Sequence, residues 1–273
     1  MKKNFYYFIL IVYALVTLLP ILWAGSISIK PKEDLWQIPP VIISENPTSN
    51  HYSKIFTDSE FAVNLGNSFY VSIGTLFISL PLSILAAFAF ARWRFKGKVF
   101  WLILILASQM IPGMASLVPL YSILKSIGML DTRLGLILIF SAQTIPLNIW
   151  IFKGFFETIP RALTDAALID GCSPLATLPR IILPISAPGI IAASLFTIMR
   201  PWNDFLVALT LLFDPAKITF PPALYKLYSS PIAGTNYGAI FAGSLIGTMP
   251  IVIIFLFFQK YFISGLTSGA MKA

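Results

Sequence analysis

Six stretches of this chain carry no charged residue: Asn4–Ile29, Phe61–Ala91, Val99–Leu124, Leu134–Phe152, Ile181–Met199 and Leu227–Gln259. A helix rises about 1.5 Å per residue and a bilayer's hydrocarbon is about 30 Å thick, so roughly 20 apolar residues cross it. Each stretch reaches or nearly reaches that length. The expectation is an all-α, polytopic membrane protein with six transmembrane helices, near 5–26, 66–91, 99–122, 134–152, 186–211 and 237–260. The fifth attains its length only by accommodating Arg200 and Asp204. Composition agrees: 11% of residues are charged, against about a quarter in soluble domains. A chain this apolar cannot cover its own surface with polar groups in water.

Lys and Arg number 19 against 11 Asp and Glu, an excess that in a soluble chain raises nucleic acid as a partner. The distribution removes that reading. Segments 1–4, 92–98, 153–185 and 260–273 hold eleven Lys/Arg and three Asp/Glu, whereas 27–65, 123–133 and 213–236 hold seven of each. Arg200 and Asp204 cancel, so the whole excess falls on one side of a six-span arrangement. The positive-inside rule makes that side the cytoplasm, with both termini there. Arg92, Arg94, Lys96 and Lys98 in one short loop mark it most strongly. Lys2 and Lys3 before an apolar run also have the layout of a signal peptide. The run is long for one, however, and its removal would put the termini on opposite sides, so it reads as an uncleaved first helix.

The single Cys172 excludes an intrachain disulfide and any multi-cysteine metal site. The single His51 lies in a polar segment and reads as a solvated loop residue. No metal site and no catalytic cluster is expected, so the chain reads as non-catalytic.

Between the fourth and fifth spans lies segment 153–185. Thr158 and Pro160 give a helix start, and Gly171 stands where a left-handed C′ residue ends a helix about ten residues later. Ser173-Pro174 offers a second start. The segment reads as two short helices meeting at a glycine corner, with Pro179 shortening the second. Helical spacing puts Leu163, Ala166, Ala167 and Asp170 on one face, and Leu168 and Ile169 on another side suited to packing back on the membrane helices. Spacing alone fits a docking knob or a helix lying on lipid headgroups.

Asp165-Ala166-Ala167, Gly171 and Ile181-Ile182-Leu183-Pro184 resemble the E-A-A-x-x-x-G and I-x-L-P signature loop of binding-protein-dependent ABC importer permeases, with Asp165 in place of the usual glutamate. Further stretches are similar to the carbohydrate-uptake branch, of maltose and glycerol-phosphate type. They include Asn67-Ser68, Arg92 to Lys98, Gly128 to Thr132, Trp202-Asn203-Asp204-Phe205 and the tail from Gln259 to Lys272. The match runs from about residue 60 to the end, and segment 27–60 departs from it.

The resemblance implies a type I importer permease in the inner membrane that pairs with a second permease. An ATPase dimer, binding ATP and magnesium, docks on Asp165, Ala166, Ala167, Asp170, Gly171, Leu183 and Pro184. An extracytoplasmic solute-binding protein delivers a carbohydrate, and the permease itself has no cofactor. The chain contains no G-x-x-x-x-G-K-[ST], so the phosphate-binding loop belongs to another chain. Gln109, Gln143, Asn148, Trp202, Asn203 and Asp204 are the expected substrate path, with Trp150, Trp202 and Phe205 as aromatic faces for a sugar. Arg200 and Asp204, four residues apart, equally form a self-satisfied pair, and the amides equally serve as interhelical glue. Permeases for other solutes and an ion-coupled secondary transporter are the competing readings. The second expects several intramembrane acids, and Asp204 is the only one.

Overall fold

Long apolar runs with few internal breakers leave helix as the one element that satisfies every backbone group locally. A computed structural model, which describes residues 2–39, 41–42, 44–57, 59–230 and 234–270, is accordingly almost all helix. In chain order α1 spans Lys2–Ser28, α2 Asn50–Thr57, α3 Ser59–Arg92, α4 Lys98–Ala107, α5 Leu117–Ser126 and α6 Arg133–Thr158. Then follow α7 Arg161–Ile169, α8 Leu183–Trp202, α9 Leu206–Leu211, α10 Phe220–Tyr228 and α11 Tyr237–Ala270. The strands β1 (Ser229–Ser230) and β2 (Gly234–Thr235) form a two-residue antiparallel ribbon. Among the described residues five helices are long and apolar enough to cross a membrane: Asn4–Ser28, Glu60–Arg92, Arg133–Thr158, Leu178–Trp202 and Tyr237–Lys260.

The third expected span, 99–122, is not one helix. After α4 a 3₁₀ turn covers Ser108–Met110, and the chain is non-helical until α5. Pro112 disfavours helical geometry at the residue before it, and Ile111 is extended at φ −72°, ψ 119°. The fifth, 186–211, is interrupted at Asn203–Phe205. Elsewhere proline is absorbed: α3 runs past Pro81 and α6 past Pro146. The expected loop 213–236 contains α10, with Pro221 and Pro222 in its first turn, where a missing N–H costs little. Pro231 lies outside the described residues, as do Met271 and Lys272. In the tail that carries part of the resemblance, α11 continues past Lys260 to Ala270.

Residues 1–65 and 220–250 form one compact unit, and residues 66–219 and 251–273 a second. The first is centred on Ile55, Phe61, Phe220, Leu224 and Ala242. His51 corrects the solvated-loop expectation. It is buried on α2, Nε2 lies 2.9 Å from the Lys30 carbonyl oxygen, and a Cβ on Gly238 would stand 2.3 Å from its ring. An amphipathic turn burying His51 and Ile55, four residues apart, is the cause.

In the second unit α3, α6 and α8 share a core of Ala87, Phe88, Ala91, Phe152, Phe156, Ile159, Leu178, Ile182 and Ala193. Gly189 lets α8 approach α6, since a Cβ there would meet the Phe155 ring at 2.4 Å. Asn148 Nδ2 donates to Thr197 Oγ1 at 2.9 Å, both side chains buried. In low dielectric that bond fixes the register of the two helices.

Candidate functional site

The α6–α8 connection is built as a knuckle. α6 continues six residues beyond its expected end, to Thr158, and after two linking residues α7 begins at Arg161. Its end is a Schellman motif: the Cys172 N–H reaches the Ala167 carbonyl at 2.9 Å and the Gly171 N–H the Leu168 carbonyl at 3.1 Å. Gly171 holds φ +84°, which side chains resist. The second short helix of the sequence reading is instead a turn. Ser173 Oγ accepts from the Ala176 N–H at 3.3 Å, and a π-helical stretch, Leu178–Ile182, then runs into α8. Pro179, with no N–H to give, sits inside that π stretch, whose last bond runs from the Leu183 N–H to the Leu178 carbonyl.

α7 is seated by Thr164, the one buried side chain on it. Leu163, Ala166 and Asp170 are exposed and Ala167 is half-buried. Ile169 does not pack back on the neighbouring helices: at 87% exposed it is left open on the knuckle. Leu168 borders a cleft with Asp165, Arg92, Arg161 and Trp93. Arg92 Nη2 donates to the Ile159 carbonyl at 3.0 Å, tying the end of α3 to the start of the knuckle. Leu183 and Pro184 form the first turn of α8, the leucine half-buried and the proline exposed.

Beside the break in the third span is a cavity of about 820 Å³. Its polar lining is Ser108, Gln109, Ser116, Gln143, Thr144, Asn148, Thr197, Arg200 and Asn203, with Phe196 and Leu147 among the apolar groups. Gln109 Nε2 donates to the Gln143 carbonyl at 3.1 Å. Arg200 donates through Nη2 to Gln143 Oε1 and through Nη1 to Asp204 Oδ2, each at 3.0 Å. Of the six expected path residues, Gln109, Gln143, Asn148 and Asn203 line this cavity. Trp202 and Asp204 do not. Trp202 is buried with its ring 4.6 Å from that of Phe69. Asp204 Oδ1 accepts the Val207 and Ala208 N–H groups at 2.8 and 3.2 Å, capping α9 after the helix break. Nor do Trp150 and Phe205 line it; the aromatic ring at the cavity is Phe196.

Asp131 escaped notice except as part of a similar stretch. Its Oδ1 accepts the Phe213 and Asp214 N–H groups at 2.8 and 3.1 Å, and Lys217 Nζ reaches Oδ2 at 3.3 Å. Arg133 donates to the Ala216 carbonyl at 3.0 Å, and Asn67 to the Ala216 and Ile218 carbonyls at 2.9 Å each. The one available signal was an acid two residues before a helix start, beside the Thr132 N-cap.

The geometry is that of an almost all-helical membrane chain with an exposed loop knuckle and a polar-lined cavity between its helices. Comparison makes this specific: residues 79–268 match the family model "Binding-protein-dependent transport system inner membrane component", and the chain belongs to that family. It is 35% identical to the galactooligosaccharides transport system permease protein GanQ of Bacillus subtilis, over 98% of this chain and 95% of that one. To the trehalose transport system permease protein SugB of Mycobacterium tuberculosis it is 36% identical, over 93% and 92%. To the trehalose/maltose transport system permease protein MalG of Thermococcus litoralis it is 32% identical, over 96% and 94%. The fold matches a chain of a bacterial ABC transporter involved in the import of the acidic polysaccharide alginate, with a TM-score of 0.82, 23% identity and 96% of each chain covered.

Proposed function

We propose that the cavity beside α6 and α8 is part of a sugar path and that the α7 knuckle is the seat of a separate ATPase. The chain is a membrane permease subunit of an ATP-driven carbohydrate importer, supported by the family match and by relatives named for galactooligosaccharides, trehalose and maltose. It acts beside a second permease, and an extracytoplasmic solute-binding protein hands it the sugar. ATP and magnesium belong to the ATPase pair on the cytoplasmic side. The two broken segments, α4–α5 and α8–α9, each serve as one crossing, giving six with both termini in the cytoplasm.

The observation that carries the docking role is Ile169. An isoleucine left 87% exposed on a helix closed by a Schellman end, with Leu163 also open, is an apolar surface awaiting a partner. The π stretch Leu178–Ile182 leads from the knuckle straight into α8, whose Thr197 and Arg200 border the cavity. A push on α7, passed through the Gly171 corner, therefore reaches the cavity wall along the helical run Leu178–Trp202. Sugars are polyols, and a lining of amides and hydroxyls offers both donors and acceptors to them.

A cysteine at Ala166, crosslinked in membranes that contain the whole importer, is expected to capture the ATPase. Failure to capture any nucleotide-hydrolysing neighbour while transport persists would sink the docking role.

A further inference from the structure

We infer that Asp204 is a built-in counter-ion that keeps the cavity electrically neutral and so admits uncharged sugars while turning acidic ones away. The inference rests on the sugar-path reading and adds a selectivity to it.

Among the described residues lining the cavity, Arg200 is the one with a charged side chain. Its guanidinium side chain is 43% exposed, whereas that of Asp204 is 8% exposed. The cation thus faces the cavity and the anion stands behind it, 3.0 Å away. Gln143 Oε1 takes a second guanidinium bond, and the Phe140 ring lies 5.6 Å from its central carbon. Without Asp204, a cation on the cavity wall with no counter-charge beside it would attract any carboxylate that entered. With it, an acidic sugar meets a guanidinium already paired and a second negative charge close by, and nothing repays the loss of its hydration. A neutral polyol suffers neither penalty.

The geometry supplies a surgical variant. Asp204 divides its oxygens: Oδ1 caps α9 and Oδ2 holds Arg200. Asp204→Asn retains an oxygen for the cap and replaces the other with an NH₂ that cannot accept from Arg200. The cation is uncovered and the start of α9 is kept.

The test uses the full chain in lipid nanodiscs with Ser116→Cys, a cavity-lining position. Maleimide labelling of that cysteine is followed peptide by peptide, so Cys172 does not interfere. The neutral probes are maltose, trehalose and lactose, and the acidic probe is digalacturonate. With Asp204 intact, the neutral disaccharides slow labelling and digalacturonate does not. In Asp204→Asn, digalacturonate protects at a concentration at least about tenfold lower than with Asp204 intact, the scale of one charge-assisted hydrogen bond. Adding Arg200→Gln to Asp204→Asn abolishes that gain. If digalacturonate protects both proteins alike, or the double variant keeps the gain, the counter-ion role is overturned while the sugar path stands. If no neutral disaccharide slows labelling in any protein, the sugar-path reading falls and this inference falls with it.

Discussion

Asp131 shows how much one side chain can organise. It holds φ +57°, a backbone region that aspartate tolerates better than most residues, and from there it gathers two N–H groups and an ammonium. Burial pushes its pKa up, but the Phe213 and Asp214 N–H groups and Lys217 outweigh that and hold it below the ordinary carboxylate value. Asp214 is also lowered, by the Ala216 N–H and then Lys217, while Lys217 is raised by Asp214 and then Asp131. A lowered acid stabilises above its unfolded pKa and loses that contribution as pH falls through the folded value. A raised lysine stabilises below its unfolded pKa and loses it as pH rises through the folded one. The clamp is therefore insensitive to pH across neutrality and weakens only in acid, below about pH 4, or in strong alkali. Asp131→Asn, which keeps an acceptor for the two N–H groups, is expected to cost less than about 1 kcal/mol. Asp131→Ala, which leaves them without it, is expected to cost about 2 kcal/mol. Thermal melting in detergent at neutral pH checks both, and equal losses would show that the backbone bonds are not what matters.

At the scale of the element, the knuckle depends on how α7 ends. A Cβ at Gly171 would meet nothing within 4 Å, so the demand there is conformational rather than spatial. Asparagine accepts left-handed geometry and a β-branched residue resists it. Gly171→Asn is expected to keep ATP-driven uptake near its full rate. Gly171→Val is expected to reduce uptake at least about tenfold, the strain of about 1–2 kcal/mol falling on a corner that must hold one shape. The solute-binding protein's own sugar affinity is unchanged in both. Equal uptake by the two variants would separate coupling from this corner. The corner was legible in the sequence because Gly171, Thr158 and Pro160 are local signals. The seat of α7 was not. That Thr164 is buried and Ile169 exposed depends on neighbours distant in sequence, which a nine-residue window does not contain. The break after α4 was half legible: Pro112 and Gly113 disfavour helix, but the run around them is free of charge over a full membrane length. The cavity's amides were legible as polar residues in apolar runs. The capping role of Asp204 was not, since it exists only once α8 has stopped at Trp202.

Whole-molecule topology turns on whether the broken segment Lys98–Ser126 crosses the membrane. By length and composition five helices among the described residues qualify, and an odd number of crossings separates the termini. Charge argues for a sixth. If α4 and α5 did not form a crossing together, the basic run Arg92 to Lys98 would share a side with Lys125, Asp131 and Arg133, and the sorting of the net charge of +8 would collapse. A non-helical stretch at membrane depth is tolerated where it lines a cavity, and Ile111, Gly113 and Ser116 within the break line this one. Single cysteines at Asn4, Lys96 and Lys260 in a Cys172→Ser background are therefore expected to react with a membrane-impermeant maleimide only after the membrane is opened. Cysteines at Asn46 and Lys125 are expected to react in intact cells. Labelling of Asn4 and Lys260 from opposite faces would leave five crossings, and the cavity would then be a pocket beside the bilayer rather than a path through it.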